Sequence, residues 1–174
     1  MKKNNKGLSY IEVIVVLGIS AILVGMVTIT MGSANRANVN RAGEKLCSAV
    51  NEGRTSAMTR GGDYGYLNIY NNNGTVYYYT GEQVSGLSQI DYNTQNWVRL
   101  CSNPVAFGFL SPGATSGTYT DLANNSVVSV TFKQSTGGTE SGDDVYFRMH
   151  NVNNDDEVFV KIIGITGKTE YTLD

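Results

Sequence analysis

The sequence predicts an α+β fold: one long N-terminal α-helix, membrane-spanning in its first half and amphipathic in its second, packed on an antiparallel β-sheet head. Three observations predict it. Residues 13–31 form a run of 19 positions without a charge. From Val39 to Ala57 apolar and small residues recur at spacings of three and four. Beyond Gly62, short runs rich in Val, Ile, Thr and Tyr alternate with Gly- and Asn-rich turns.

The chain has 174 residues, enough for one domain with a sizeable core. Its formal charge of −2 hides an asymmetry. Lys2, Lys3 and Lys6 give the first seven residues +3; residues 33–60 carry +3; residues 61–174 carry −7. An acidic head does not favour a nucleic-acid partner.

Residues 1–7 read as a short basic leader and 8–32 as the apolar helix. At ~1.5 Å per residue the charge-free run spans about 28 Å, close to the ~30 Å hydrocarbon core. The lysines in front of it place the leader on the cytoplasmic side and the head outside. A secretory signal peptide would have a shorter apolar core and a small-x-small cleavage site. Here the run passes into a helical pattern without a turn or a Pro. Gly18, Gly25 and Gly32 recur every seven residues on one face, a stripe that lets helices pack closely. Hydropathy alone leaves an ordinary signal anchor equally open. Glu12 is the anomaly, a carboxylate at the edge of this run that needs a partner if it leaves water.

Residues 33–62 read as an amphipathic continuation of the helix. Val39, Ala42, Leu46, Val50, Gly53 and Ala57 share one face, and Gly61-Gly62 stops it. Residues 63–174 read as seven to nine antiparallel strands. The expected strands are Tyr64–Tyr70, Thr75–Thr80, Trp97–Cys101, Val105–Leu110, Ser126–Lys133, Asp144–His150, Val158–Ile165 and Lys168–Leu173. Asn71-Asn72-Asn73-Gly74 is a hairpin-type turn.

The segment KGLSYIE, residues 6–12, resembles the class III signal of type IV pilins and of the type II secretion and competence pseudopilins. The family pattern is Gly, cut, an apolar residue, Thr or Ser, two more residues and Glu. Leu8 stands where Phe is common, and Tyr10 is a less usual residue at its place. The resemblance implies cleavage by a prepilin peptidase between Gly7 and Leu8 and N-methylation of Leu8. It implies that 1–7 is a cleaved leader and 8–32 a filament-core helix. It also implies an assembly role for Glu12, paired with the N-terminal ammonium of a neighbouring subunit. Two charges desolvated together cost less than either alone. More loosely, CSAVNEGRTSAMTRGG (47–62) and IIGITGKTEYTL (162–173) resemble the helix end and closing hairpin of GspH/FimT-like minor pseudopilins, with Lys168 where that group often has Arg.

The resemblance implies a structural subunit, pilin or minor pseudopilin, of a type IV pilus or of a secretion or competence pseudopilus, polymerised through its N-terminal helix. Its implied partners are other pilin or pseudopilin subunits, the prepilin peptidase, an inner-membrane assembly platform and membrane lipid before assembly. It would sit as a single-pass membrane protein first and in an extracellular or periplasmic filament afterwards. The alternative is a ligand-binding minor pilin for DNA uptake or adhesion, for which Arg99, Arg148, Lys161 and Lys168 are the candidate basic patch.

No enzyme is expected. His150 is the single His and no nucleophile motif surrounds a Ser or Cys. No cofactor or metal is expected either. Asn153–Glu157 offers oxygen ligands, but its spacing fits a hairpin turn better than a calcium loop. Tyr77-Tyr78-Tyr79 reads as alternating core and surface rather than as an adhesive patch. Cys47 and Cys101 are either a disulfide or two buried thiols; oxidation is open to a head on the outer face.

Overall fold

The computed structural model describes residues 9–91, 94–110, 117–153 and 155–173, with side-chain surroundings outside the description at 26–33 and 89. Two units divide the chain, Met1–Ala34 and Asn35–Asp174. Helical backbone covers Tyr10–Arg60 (α1). Its side chains are described in two stretches, a short one over 10–25 and one of 27 residues ending at Arg60.

In the first unit the expected membrane-spanning half is corrected. Among the described residues no helix is long and apolar enough to cross a membrane. The described apolar stretch, residues 10–25, at ~1.5 Å each reaches about 24 Å, against a ~30 Å hydrocarbon core. Its side chains are apolar, but the long apolar helix expected from the sequence is not what the structure describes.

The second unit holds that stretch from Asn35 onward and, among the described residues, nine strands. They are β1 (Tyr66–Asn72), β2 (Thr75–Gly81), β3 (Val98–Ser102), β4 (Val105–Phe109), β5 (Thr120–Asp121), β6 (Ser126–Thr131), β7 (Val145–Asn151), β8 (Glu157–Ile162) and β9 (Thr169–Leu173). A single sheet is the second expectation to be corrected. The strands form two antiparallel sheets, ordered β3-β2-β1-β6 and β5-β4-β7-β8-β9. The reason lies in the pairing. Turn residues set where a strand ends, while the edge it joins depends on distant partners. The β3–β4 turn at Asn103-Pro104 carries the chain from one sheet into the other, and β6 returns to pair with β1. The coarse class remains mixed α+β.

One apolar stripe of the helix serves both sheets. Val39, Ala42, Leu46, Ala49, Val50 and Ala57 are all at most 1% exposed. They cluster with Leu67, Ile69 and Val130 of the first sheet and with Phe107, Phe147, Met149, Val158 and Ile162 of the second. Each such aliphatic side chain contributes roughly 1.5–3 kcal/mol by leaving water. Glycines bring the layers close. A Cβ at Gly43 would meet Val158 at 2.6 Å, and one at Gly53 would meet Phe132 at 3.2 Å.

The first sheet is buried on its outer face too. Asn68, fully buried on β1, is the pin that holds the covering segment. Its Nδ2 donates to Glu82 O at 2.9 Å, and its Oδ1 accepts from Val84 N at 3.0 Å and from Ser129 Oγ at 2.7 Å. Asn71 ties β1 to the chain after β5, donating from Nδ2 to Leu122 O at 2.6 Å. The hairpin turn before β2 has positive φ at Asn73 (50°) and Gly74 (80°), the backbone that a two-residue turn between twisted strands requires.

Asn68→Ala strands the buried Val84 amide. It should cost about 2 kcal/mol, read as a lower urea midpoint with an unchanged m-value. A midpoint equal to the parent's would show that the pin holds nothing.

Candidate functional site

The residues that carry the strongest motif lie at the start of the chain. Gly7 and Leu8, the expected cleavage and methylation positions, fall outside the described residues. Glu12 falls within them. Its Oε2 accepts from Ser9 N at 2.9 Å, while Ser9 O accepts from Glu12 N and Val13 N. Ser9 stands just before α1 and Glu12 three residues on, so the S-x-x-E spacing gives the carboxylate half of a capping box. Sequence reasoning missed this cap, although Ser9-Tyr10-Ile11-Glu12 carries its signal. The carboxylate also sits at the positive end of the helix dipole.

C-terminal to Glu12 the described helix is apolar on every side. Leu17 is 64% exposed and Leu23 58%, and Val13, Ile14, Val15, Val16, Ile19, Ile22 and Val24 are exposed as well. Gly18 and Gly25 would let an added Cβ meet nothing within 4 Å. Among the described residues this surface is a contiguous run of exposed apolar side chains. An exposed apolar run of this kind is a candidate site of association.

The remaining candidates are dispersed over the second unit. The structure does not bring Arg99, Arg148, Lys161 and Lys168 together as a patch. Arg148 and Lys161 lie on the outer face of the second sheet and are neutralised there. Arg148 reaches Asp121 at 3.3 Å and Glu157 at 3.4 Å, and Lys161 reaches Asp144 at 2.9 Å and Glu170 at 3.8 Å. His150 Nε2 lies 3.6 Å from Asp121 Oδ2, so it belongs to the same lattice, which reaches across β4 to link Asp121 of β5 with β7 and β8. Arg99 is on β3 in the other sheet and Lys168 is exposed before β9.

Among the described residues no group of three His, Cys, Asp or Glu could hold a metal ion. The acidic loop closes the β7–β8 hairpin, with Asn151 N donating to Asp156 O and Asn153 N to Asn151 Oδ1. Asn154 lies outside the described residues. Tyr78 is core, while Tyr79 stacks on Trp97 with centroids 5.5 Å apart.

The structure carries both cysteines as free thiols, so the candidate bridge from Cys47 to Cys101 is not formed. Each has its own neighbours: Cys47, on α1, shares a hydrogen bond with the side chain of Thr169 on β9, whereas Cys101 is buried on β3 near Arg99 and Lys45. Burial pushes the Cys101 thiol up to about 12, with Arg99 and Lys45 pulling the other way. Burial also raises Cys47.

The fold joins the two segments with the looser resemblance, 47–62 and 162–173. Arg54 of α1 packs over Gly137 and Gly167, the latter with φ of +65°. Gly138 and Gly164 bring their backbones together so closely that no Cβ fits between them. Thr139 N donates to Gly164 O at 2.7 Å, and Asp144 Oδ1 accepts from Gly164 N at 2.8 Å. That backbone N–H and the Lys161 ammonium hold the Asp144 carboxyl below its ordinary value.

In comparisons with protein families, curated proteins and solved structures, nothing matches this chain.

These geometries set two expected outcomes. In the native chain at pH 8, Cys47 should alkylate well ahead of Cys101; unfolded without reductant, the protein should yield two reactive thiols, and finding none would establish a bridge. For Asp144 the folded pKa lies below the unfolded one, so its contribution is full above the unfolded value and is lost as pH falls through the folded value. Asp144→Asn should therefore lower stability at pH 7 by less than ~1 kcal/mol, since the pair is largely solvated, and the deficit should vanish near pH 2. A deficit that persists at pH 2 would assign the effect to packing instead.

Proposed function

We propose that the chain is a structural subunit, pilin or minor pseudopilin, of a type IV pilus or of a secretion or competence pseudopilus. The observation that carries the reading is KGLSYIE followed by a helical stretch whose apolar side chains point outward on every side. A helix of that kind is stable in water only when something covers it, and neighbouring copies of the same helix are the simplest cover. The charge-free side chains would contact lipid before assembly and other subunits after it.

In this reading a prepilin peptidase cuts between Gly7 and Leu8 and Leu8 is N-methylated. Glu12 then has two acceptor oxygens at the new N-terminus. Oε2 accepts from Ser9 N. Oε1 is left to accept from the ammonium of an adjoining subunit. A subunit docked out of register leaves that carboxylate desolvated and unpaired, which is costly. The charge works as a register device. The head, with its ion lattice on the outer face, has a structural role in this reading.

Expression with the cognate peptidase and assembly platform tests this. The mature chain should begin at methylated Leu8, and Gly7→Val should keep the leader and abolish filaments. Glu12→Gln keeps a hydrogen-bond acceptor for Ser9 N but removes the charge, so incorporation should fall while the helix is retained by circular dichroism. An N-terminus at Met1 in sheared filaments would overturn the processing step, and normal incorporation of Glu12→Gln would overturn the register role.

A further inference from the structure

We propose that a groove between α1 and β3 binds a phosphate-bearing anion. The groove has a volume of about 440 Å³ and is lined by Asn38, Arg41, Lys45, Arg99, Ser102 and Asn103, with Ala42 and Leu100 among the apolar residues at its walls. Three of these are cations. Asn38, Arg41 and Lys45 follow the helix at spacings of three and four, so they share one face. β3 adds Arg99 from the other wall.

The groove's cations differ from those on the outer face of the second sheet, which are compensated. Arg148 and Lys161 each have two carboxylates within 4 Å. Among the described residues Arg41, Lys45 and Arg99 have none. Lys45 and Arg99 are nevertheless held in place, by neutral acceptors. Lys45 Nζ donates to Arg99 O at 3.2 Å, and Arg99 Nη2 donates to Ser102 Oγ. Anchoring a cation to a carbonyl or a hydroxyl fixes its position without cancelling its charge. Both cations also act on Cys101 beside them, which shows that their fields converge at the groove. The groove joins the basic helix segment 33–60, which carries +3, to Arg99 of the otherwise acidic stretch 61–174, which carries −7.

The chemistry selects the ligand. Two guanidiniums and an ammonium present forked and point-like donors, the combination that suits a tetrahedral oxyanion with two negative charges. Asn38, Ser102 and Asn103 supply neutral polar groups at the rim. The size of the groove allows a phosphate, a pyrophosphate or the headgroup of an anionic phospholipid. The inference goes beyond the filament reading and does not depend on it.

The test uses the purified full chain. Calorimetric titration with inorganic phosphate and pyrophosphate gives one arm, and flotation with phosphatidylglycerol-containing against pure phosphatidylcholine vesicles gives the other. Saturable binding in the first arm assigns a free phosphate; flotation stronger with phosphatidylglycerol than with pure phosphatidylcholine vesicles, the excess being lost in the Lys45→Gln, Arg99→Gln variant, assigns a headgroup. In either arm Lys45→Gln with Arg99→Gln should weaken binding about tenfold or more, and the outside control Lys133→Gln should leave it within about twofold. Cys101 alkylation rates in the unliganded variants report that the wall is still folded. No saturable binding in either arm, or equal weakening by the control, would overturn the proposal. A duplex DNA bound more tightly than pyrophosphate, with loss in the same variant, would replace the small anion by nucleic acid and overturn it as stated.

Discussion

The head depends on one apolar stripe. Val39, Ala42, Leu46, Ala49, Val50 and Ala57 are the floor on which both sheets rest, and neither sheet closes a core without it. The division of labour follows the helix. Gly43 faces Val158 and Tyr171 of the second sheet, and Gly53 faces Phe132 and Leu67 on the side of the first. Because the two sheets share no strand, the helix and a few buried polar pins carry the coupling between them. Asn71 is such a pin, bonded to Leu122 O from β1. A buried amide of this kind is worth more for fixing one arrangement than for raw stability, since every alternative leaves it unsatisfied.

A second constraint acts at the far end of the stripe. Arg54, the loop around Gly137–Gly138 and the turn around Gly164–Gly167 interlock through backbone contacts that leave no room for side chains. Thr139 and Asp144 then bind the turn by its amide and carbonyl groups. The last strand, β9, is held in the second sheet by its pairing with β8 and approached by the helix through Cys47 and Thr169. The helix end and the closing hairpin are thus parts of one physical junction.

Much of this was legible in the sequence, and the parts that were not have definite causes. The spacing of Val39, Ala42, Leu46, Val50, Gly53 and Ala57 marks the buried face because a helix has a fixed period. Strand positions fall within a residue or two at most ends because Gly and Asn punctuate them. β5 was missed: at two residues, Thr120–Asp121 is too short to carry any period. The split into two sheets was not readable because strand pairing is a long-range choice, as in β1 with β6. The membrane-crossing length read from hydropathy alone overstated what the described helix offers. The groove cations were also out of reach, since Arg99 meets Arg41 and Lys45 only once β3 lies along the helix. The Arg99, Arg148, Lys161 and Lys168 grouping failed for the same reason: sequence shows charges, and the fold decides which of them are paired.

At Glu12 the observed cap and the proposed intermolecular pairing need not compete. A carboxylate has two oxygens and about four acceptor positions. The bond from Ser9 N occupies one and fixes the rotamer at the N-terminus of the helix. A fixed rotamer means that the remaining acceptor positions have a defined direction before any partner arrives, so less side-chain freedom is lost on pairing. Capping thus gives the charge a partner where an apolar stretch begins one residue later. Under the proposed assembly it also leaves a directional acceptor for the ammonium of a neighbouring copy. A residue with only one of these roles would be replaceable, by Asp or Ser for the cap or by a displaced Glu for the charge. The S-x-x-E spacing immediately before an uncovered apolar helix binds the two roles to a single position.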